Sequence, residues 1–397
     1  MTPPSRSLPA MVSASVAAIE MSAIKRMAMR SAQVPGAVSL AWGLPSFRTP
    51  EHIRAAVAEA LATDVDAGKY SLPVGLETLR AEIARTHEQR TGRRIDPDRH
   101  VLVSAGNMQG VSSVLRTLLD ADDEVIVTDP CFASHLLQIR LCGGRPVFWT
   151  LDEKHGWSLD VTALERLITP RSRAILLVNP CNPTGSIFPE SALRETARIA
   201  AAHDLYMVID DPYSQLCYEN DARMFNPAGE PELADRIVYL YSFSKAHAMS
   251  GWRLGYIVLA EQLRSQLLKV HDAMLICAPR ISQIAALAAL SGTQDHVREF
   301  ETILNRRRQL IRERLDAVPH VFDYVQPQGA YYVFPRIVAP HVDSERFADQ
   351  LLDGIGVAVT PGSAFGPSGE HHVRMAFCVD EDAINDAFDR IERHYGR

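Results

Sequence analysis

Residues 239–257 read YLYSFSKAHAMSGWRLGYI, which sets Lys245 just past an apolar run and among Ser242, Ser244, Gly251 and Arg253. An amine in such a place, partly stripped of water, spends more time neutral and becomes a nucleophile able to form a Schiff base. Hydroxyl donors beside a guanidinium suit a phosphate, because the planar fork of Arg253 matches phosphate oxygens two at a time. Together these residues have the chemistry to hold a phosphorylated aldehyde. Four further polar clusters recur along the chain: SAGNMQG (104–110), DPCFASH (129–135), NPCNPTG (179–185) and DDPY (210–213).

Each cluster follows directly on a β-branched apolar stretch. VLVSAG (101–106), EVIVTDP (124–130), RAILLVNP (173–180), LYMVIDDP (205–212), IVYLYSFSK (237–245) and RLGYIVLA (253–260) read as strands. GVSSVLRTLLDA (110–121) and ESALRETARIAAAHD (190–204) read as helices between them. Continuous apolar strands alternating with helices predict an α/β fold with a mostly parallel central sheet covered on both faces. Ligands bind such sheets beyond the carboxyl ends of the strands, where the polar clusters would converge. The later chain differs. A long amphipathic helix at 301–318, short strands at 329–335 and 371–377, and helices at 344–354 and 380–394 predict a smaller α+β domain, with the N-terminal segment packed against it.

A chain of 397 residues suits two domains, and 47% hydrophobic residues allow a sizeable core. A net charge of −7 points away from nucleic acid and anionic membranes as partners. Arg306, Arg307 and Arg308, with Arg312 and Arg314, interleave with Glu301 and Glu313 and are read as a solvated helix face. The six cysteines are scattered, with no spacing suited to zinc, so no metal is expected and reduced thiols in the cytoplasm are. Glu20 and Lys25 interrupt the N-terminal apolar residues, and no window is long and apolar enough to span a bilayer.

SFSKAHAMSGWRLGY resembles the pyridoxal 5′-phosphate (PLP) lysine signature of the class I/II aminotransferases, fold-type-I PLP enzymes of the aspartate aminotransferase superfamily. The likeness runs in the family's order from about Gly43 to Phe377. It implies a PLP-binding large domain over 46–290, a small C-terminal domain over 291–397, and residues 1–45 packing on the latter. Lys245 would hold PLP as a Schiff base. NPCNPTG resembles the family's NPxNPTG turn, which gives Asn182 the ring's 3-oxygen. VIDDPY resembles its D-x-x-Y, which sets Asp210 against the pyridine nitrogen and Tyr213 against the 3-oxygen; strand alternation turns Asp211 away. Backbone N–H groups of Gly106, Asn107 and Met108 would meet the phosphate at a helix N-terminus, together with Ser242, Ser244 and Arg253. Phe132 would stack on the ring. Tyr70 would reach the phosphate of the neighbouring subunit, which implies a homodimer with active sites at the interface.

On the substrate side, Arg374 in HHVRMAF would clamp the α-carboxylate, with Asn182 and the backbone of Gly43 completing the clamp. GAYYVFP (329–335) is read as mostly structural, and GVAVTPGSAFG (356–366) partly as a flap over the site. Met108 stands where some relatives place a lysine for a distal carboxylate, and Trp42 borders the side-chain pocket; both favour a larger or apolar substrate. Arg280 is left between a surface role and a second carboxylate contact. The expected reaction moves an amino group from an L-α-amino acid to a 2-oxo acid, with Lys245 as general base. A β- or γ-eliminating lyase, or a cyclising biosynthetic enzyme on the same scaffold, is the alternative. A PLP-binding DNA regulator is not expected.

Overall fold

The computed structural model describes residues 12–218, 224–338 and 343–396. The first eleven residues of the predicted N-terminal segment lie outside that range. The helices are α1 (Ala23–Ser31), α2 (Glu51–Thr63), α3 (Glu77–Thr91), α4 (Asn107–Leu118), α5 (Ala133–Leu141), α6 (Glu190–Ala202), α7 (Glu261–Leu275), α8 (Arg280–Ser291), α9 (Asp295–Asp316), α10 (Ser344–Ile355) and α11 (Glu381–Tyr395). The main strands are β1 (Val101–Ser104), β2 (Glu124–Asp129), β3 (Arg145–Asp152), β4 (Ser158–Leu159), β5 (Ser172–Val178), β6 (Tyr206–Asp211), β7 (Ile237–Ser242) and β8 (Gly255–Val258). They form one sheet in the order β1-β8-β7-β6-β5-β2-β3-β4. All run the same way except β8, which is antiparallel to both neighbours, and the short β4.

The sheet is apolar on both faces, and strand alternation decides which side chain serves which core. Val125, Val127, Leu176, Val208 and Leu240 pack against α4, α5 and α7. Their neighbours Ile126, Ile175, Ile209, Tyr239 and Tyr241 point the other way, toward α3, α6 and α8. Each fully buried aliphatic side chain contributes about 1.5–3 kcal/mol.

β3 is the strand that sequence pattern did not reveal. It carries Pro146 and buries only Trp149 and Leu151, its other positions being half-buried or exposed, as suits a strand near the sheet edge. The sequence placed the start of α4 at residue 110, and the helix instead begins at Asn107, immediately after Gly106.

A second core joins chain ends that are distant in sequence. Three short strands, β9 (Tyr332–Val333), β10 (Thr360–Pro361) and β11 (Val373–Ala376), form an antiparallel sheet with β11 central. Val38–Ser39 pairs in parallel with Val357–Ala358. Met27, Leu40 and Ala41 share this core with Phe347, Phe377 and Phe388. Val357, Ala358 and Val359 are fully buried, so the stretch expected in part to flap over the site is instead wedged into the core.

The arginine run also departs from expectation. Arg306 is exposed, whereas Arg307 and Arg308 are each only 6% exposed. Arg307 donates to Ser46 Oγ, the Cys378 carbonyl and Asp380, and Arg308 to the Pro327 carbonyl while covering the Tyr218 ring. A buried guanidinium is tolerated when its fork is filled in this way, and one helix face can therefore hold both buried and solvated arginines.

Candidate active site

Beyond the carboxyl ends of β1, β2, β5, β6 and β7 lies a cavity of about 670 Å³. Lys245, Asp210, Tyr213, Asn182, Asn107, Met108, Phe132, Ser242, Ser244 and Arg253 line it together with Trp42, Gly43 and Arg374. Arg253 reaches this edge because β8 is reversed: the residues that precede it in sequence lie where the other strands end.

The Asp210 carboxylate is 5% exposed and is held from two sides. Asn107 Nδ2 donates to Oδ1 at 2.6 Å, and His135 Nε2 lies 3.0 Å from Oδ2. Asp211 faces the opposite layer, where its oxygens accept from Tyr239 Oη at 2.5 Å and from the Ser214 amide. Strand alternation thus separates the two neighbouring carboxylates, as the sequence pattern required.

Lys245 Nζ donates to the Gly43 carbonyl at 2.9 Å and lies 5.6 Å from the centre of the Tyr331 ring. Removal from water pulls its ammonium down from 10.5 to about 8, with Arg374, Arg253 and Lys25 pushing the same way. Gly43 has to be glycine, because a Cβ there would meet Tyr332 Oη at 1.9 Å. The Tyr213 phenol is 3.1 Å from the Tyr332 phenol, and burial with that neighbour raises it well above its ordinary value.

Arg374 sits on β11 and is 1% exposed. One terminal nitrogen donates to Asn182 Oδ1 at 3.1 Å and the other to the Ala41 carbonyl at 2.5 Å, between the Tyr332 and Phe365 rings. Its Nε has no partner among the described residues, although it is buried. A ring above Asp210 and a phosphate at Arg253 fit this donor set. α4 opens on Gly106 in the left-handed region (φ +79°), leaving its first N–H groups without helix partners. A Cβ at Gly106 would come within 2.6 Å of Arg253 Nη2, so glycine keeps that corner open for an anion.

Tyr70 does not join the cavity. It lies between α2 and α3 with 76% of its surface exposed, alongside exposed Leu72 and Val65. Arg280, the first residue of α8, pairs with Asp64 at 3.1 Å and is not among the residues lining the cavity. Residues without an assigned role also arrive. His135 stands one helical turn after Phe132, a spacing that puts the two rings 5.2 Å apart. Tyr332 belongs to the stretch read as structural, and Lys25 comes from α1; a lone histidine or lysine on a helix carries no signal until the helix is placed.

The chain matches the family of aminotransferases class I and II over residues 35–391. It belongs to that family. It is 32% identical to aromatic-amino-acid aminotransferase 2 of Thermococcus litoralis, over 91% of this chain and 92% of that one. It is 35% identical to the arginine–pyruvate transaminase of Pseudomonas aeruginosa, over 89% and 88% of the two chains. The solved structure of Thermus thermophilus aspartate aminotransferase with maleate superposes with a TM-score of 0.89 at 32% identity, covering 96% of this chain and 99% of that one. The protein is a PLP-dependent aminotransferase with the fold-type-I architecture, and the eliminating or cyclising alternative has no counterpart among these relatives.

Proposed function

We propose that this aminotransferase works through Lys245, Asp210 and Arg374, and that their meeting in one cavity carries the assignment. PLP, when bound, supplies an electron sink for charge developing at the substrate α-carbon. The chain's residues do the rest. Asp210, braced by Asn107 and His135, holds a proton on the pyridine nitrogen. Asn182 and Tyr213 face the 3-oxygen, Phe132 covers the ring, and Ser242, Ser244, Arg253 and the α4 N-terminus at Gly106, Asn107 and Met108 hold the phosphate. Lys245 Nζ, lowered by removal from water, moves the proton at the α-carbon. Arg374, with Asn182 and the Gly43 backbone, orients the α-carboxylate and so decides which bond stands ready to break.

Trp42 and Met108, 44% and 42% exposed at the cavity mouth, favour a donor with a larger or apolar side chain. The exposed Tyr70, Leu72 and Val65 support a homodimer in which Tyr70 serves the neighbouring subunit's phosphate. Free cysteines support a reducing, cytoplasmic setting. The division at 1–45, 46–290 and 291–397 follows the main weight of the two cores, although Ile24, Phe334 and Phe365 pack into the first and Val178, Tyr213 and Leu216 into the second.

Absorbance spectra of wild type and Lys245→Ala, taken before and after a panel of amino acids without any oxo acid, test the assignment. A covalent cofactor band in wild type alone, converting to the aminated cofactor with some donors, is expected. Absence of that band in wild type overturns it.

A further inference from the structure

Hydrogen bonds to Asn182 and the Ala41 carbonyl fix the tip of Arg374, and two rings fix its plane. The guanidinium carbon lies 4.4 Å from the centre of the Tyr332 ring and 5.0 Å from that of Phe365. Phe365 is held in turn. Phe334 meets it edge-on at 5.7 Å, and the His372 ring stacks on Phe334 at 4.9 Å with the planes 8° apart. Strand register explains this row. Tyr332 pairs with Ala376 and Val333 with Met375, and the same register reaches the bridge between Arg336 and His372, so Phe334 stands across from Arg374. His372 precedes Arg374 by two residues and shares its face of the chain.

The other end of the row is anchored in the turn between β3 and β4. His372 is 4% exposed, and both its ring nitrogens face oxygens that only accept. Nε2 lies 3.2 Å from Glu153 Oε1, and Nδ1 lies 3.0 Å from the Glu370 carbonyl. Glu153 also takes Arg336. Burial pushes the Glu153 carboxyl up, but His372 and then Arg336 outweigh it and hold the group below its ordinary value. Trp157 closes the turn beneath, its ring 5.5 Å from His372 and 5.8 Å from Phe334. It does so at φ +60°, a conformation that a bulky residue keeps only where its surroundings enforce it. A plain connection between two strands needs neither a histidine–carboxylate pair shielded from water nor a strained tryptophan.

Resting on the proposed role of Arg374 at the substrate α-carboxylate, we infer that His372 is a positioning residue for that arginine. Tied to Glu153 in the turn after β3, it sets through Phe334 and Phe365 where the guanidinium presents its fork. Close-packed rings pass a displacement on instead of absorbing it, so loosening the tie moves the anchor without touching the cofactor.

The test uses the PLP-loaded enzyme and two probes read from cofactor absorbance: pentanoate, which needs the carboxylate anchor, and butylamine, which reaches the cofactor without a carboxylate. His372→Phe keeps a ring on Phe334 and removes both N–H groups. It is expected to weaken pentanoate about three- to thirtyfold, the coupling range of side chains in one packed network, and to leave butylamine unchanged. His372→Gln, which can still donate to Glu153, is expected to recover most of the loss. Glu153→Gln is expected to show a loss of the same kind, and it carries the comparison if His372→Phe does not retain PLP. In an Arg374→Lys background either change is expected to cost nothing further, because the fork it positions is gone. Pentanoate binding that ignores these variants overturns the inference. So does a loss that butylamine shares, or one that persists in full in the Arg374→Lys background, since either marks a structural role only. Arg374→Leu separates the two readings. If it abolishes pentanoate binding while the His372 and Glu153 variants leave it intact, only the role of His372 falls; if pentanoate is indifferent to Arg374, the cavity assignment itself falls.

Discussion

At the floor of the cavity Asp210 is 5% exposed and takes hydrogen bonds from two different helices, while at the mouth Trp42 is 44% exposed, with the Lys25 ammonium over its ring. Floor groups come from strand ends and the helices packed directly on the sheet; mouth groups come from α1, the segment before α2 and the first turn of α4. The floor is pre-organised: the polar partners that an ionised group needs in a water-poor place are in position before anything binds. The mouth leaves a cation and two large apolar side chains without fixed partners. The chemistry is therefore built rigidly and the choice of substrate loosely, which suits an enzyme that handles one reaction on more than one side chain.

Mutations at the two ends would sharpen or break this contrast. Lys245→Ala should have the largest effect, lowering turnover by about 10⁴-fold or more, since a nucleophile and a general base go together; single-turnover kinetics of the purified variant measure it. Asp210→Asn removes the buried charge but keeps the shape. The loss of a buried charged partner, roughly 3–5 kcal/mol, corresponds to about 10²- to 10³-fold in kcat. Asn107→Ala leaves one carboxylate oxygen unsatisfied at roughly 1–3 kcal/mol, or about ten- to hundredfold in kcat/KM with every donor alike. At the mouth the pattern should differ. Trp42→Ala and Met108→Lys should change kcat by less than about tenfold while reordering donors, Met108→Lys toward four-carbon dicarboxylates, as steady-state kinetics with a donor panel will show. Uniform losses at the mouth, or donor-dependent losses at the floor, would dissolve the contrast.

The smallest effect concerns cofactor-free protein. Lys245 has a folded value of about 8 against 10.5 for an ordinary lysine. Between those values the unfolded chain holds the proton that the folded chain has shed, so stability rises as pH climbs from about 8 to about 10.5 and carries the full penalty below about 8. Denaturant unfolding of wild type across that range should show the rise, and Lys245→Met should flatten it.

What was legible in the sequence follows from local constraint. Lys245 and Tyr213 stand two or three residues past strand ends, Asp210 in the last two residues of its strand, and Gly106 where the backbone must turn, so spacing along the chain already defined them. Apolar strands announced the sheet for the same reason: a strand buried on both faces has no freedom to be polar. His135 was not legible, because a histidine on a helix has no partner until the helix is docked beside β6. Arg307 and Arg308 were not either. A helix with arginines at three successive positions reads as solvated, and only the packing of α9 supplies acceptors that let two of them turn inward, Ser46 and the Cys378 carbonyl for Arg307 and the Pro327 carbonyl for Arg308.

The sequence by itself determined the fold class and the family, because those rest on short spacings enforced by strand and turn geometry. Tertiary structure alone decided that β8 runs backward to bring Arg253 to the cavity edge, and that Asp210 is braced by α4 and α5 together. It also decided that Ala41, Trp42 and Gly43 gather Arg374, Lys25 and Lys245 from separate parts of the chain. The contacts of Gly43 with Lys245 and of Ala41 with Arg374 span more than two hundred residues, and no periodicity of 2 or 3.6 carries information over such a distance.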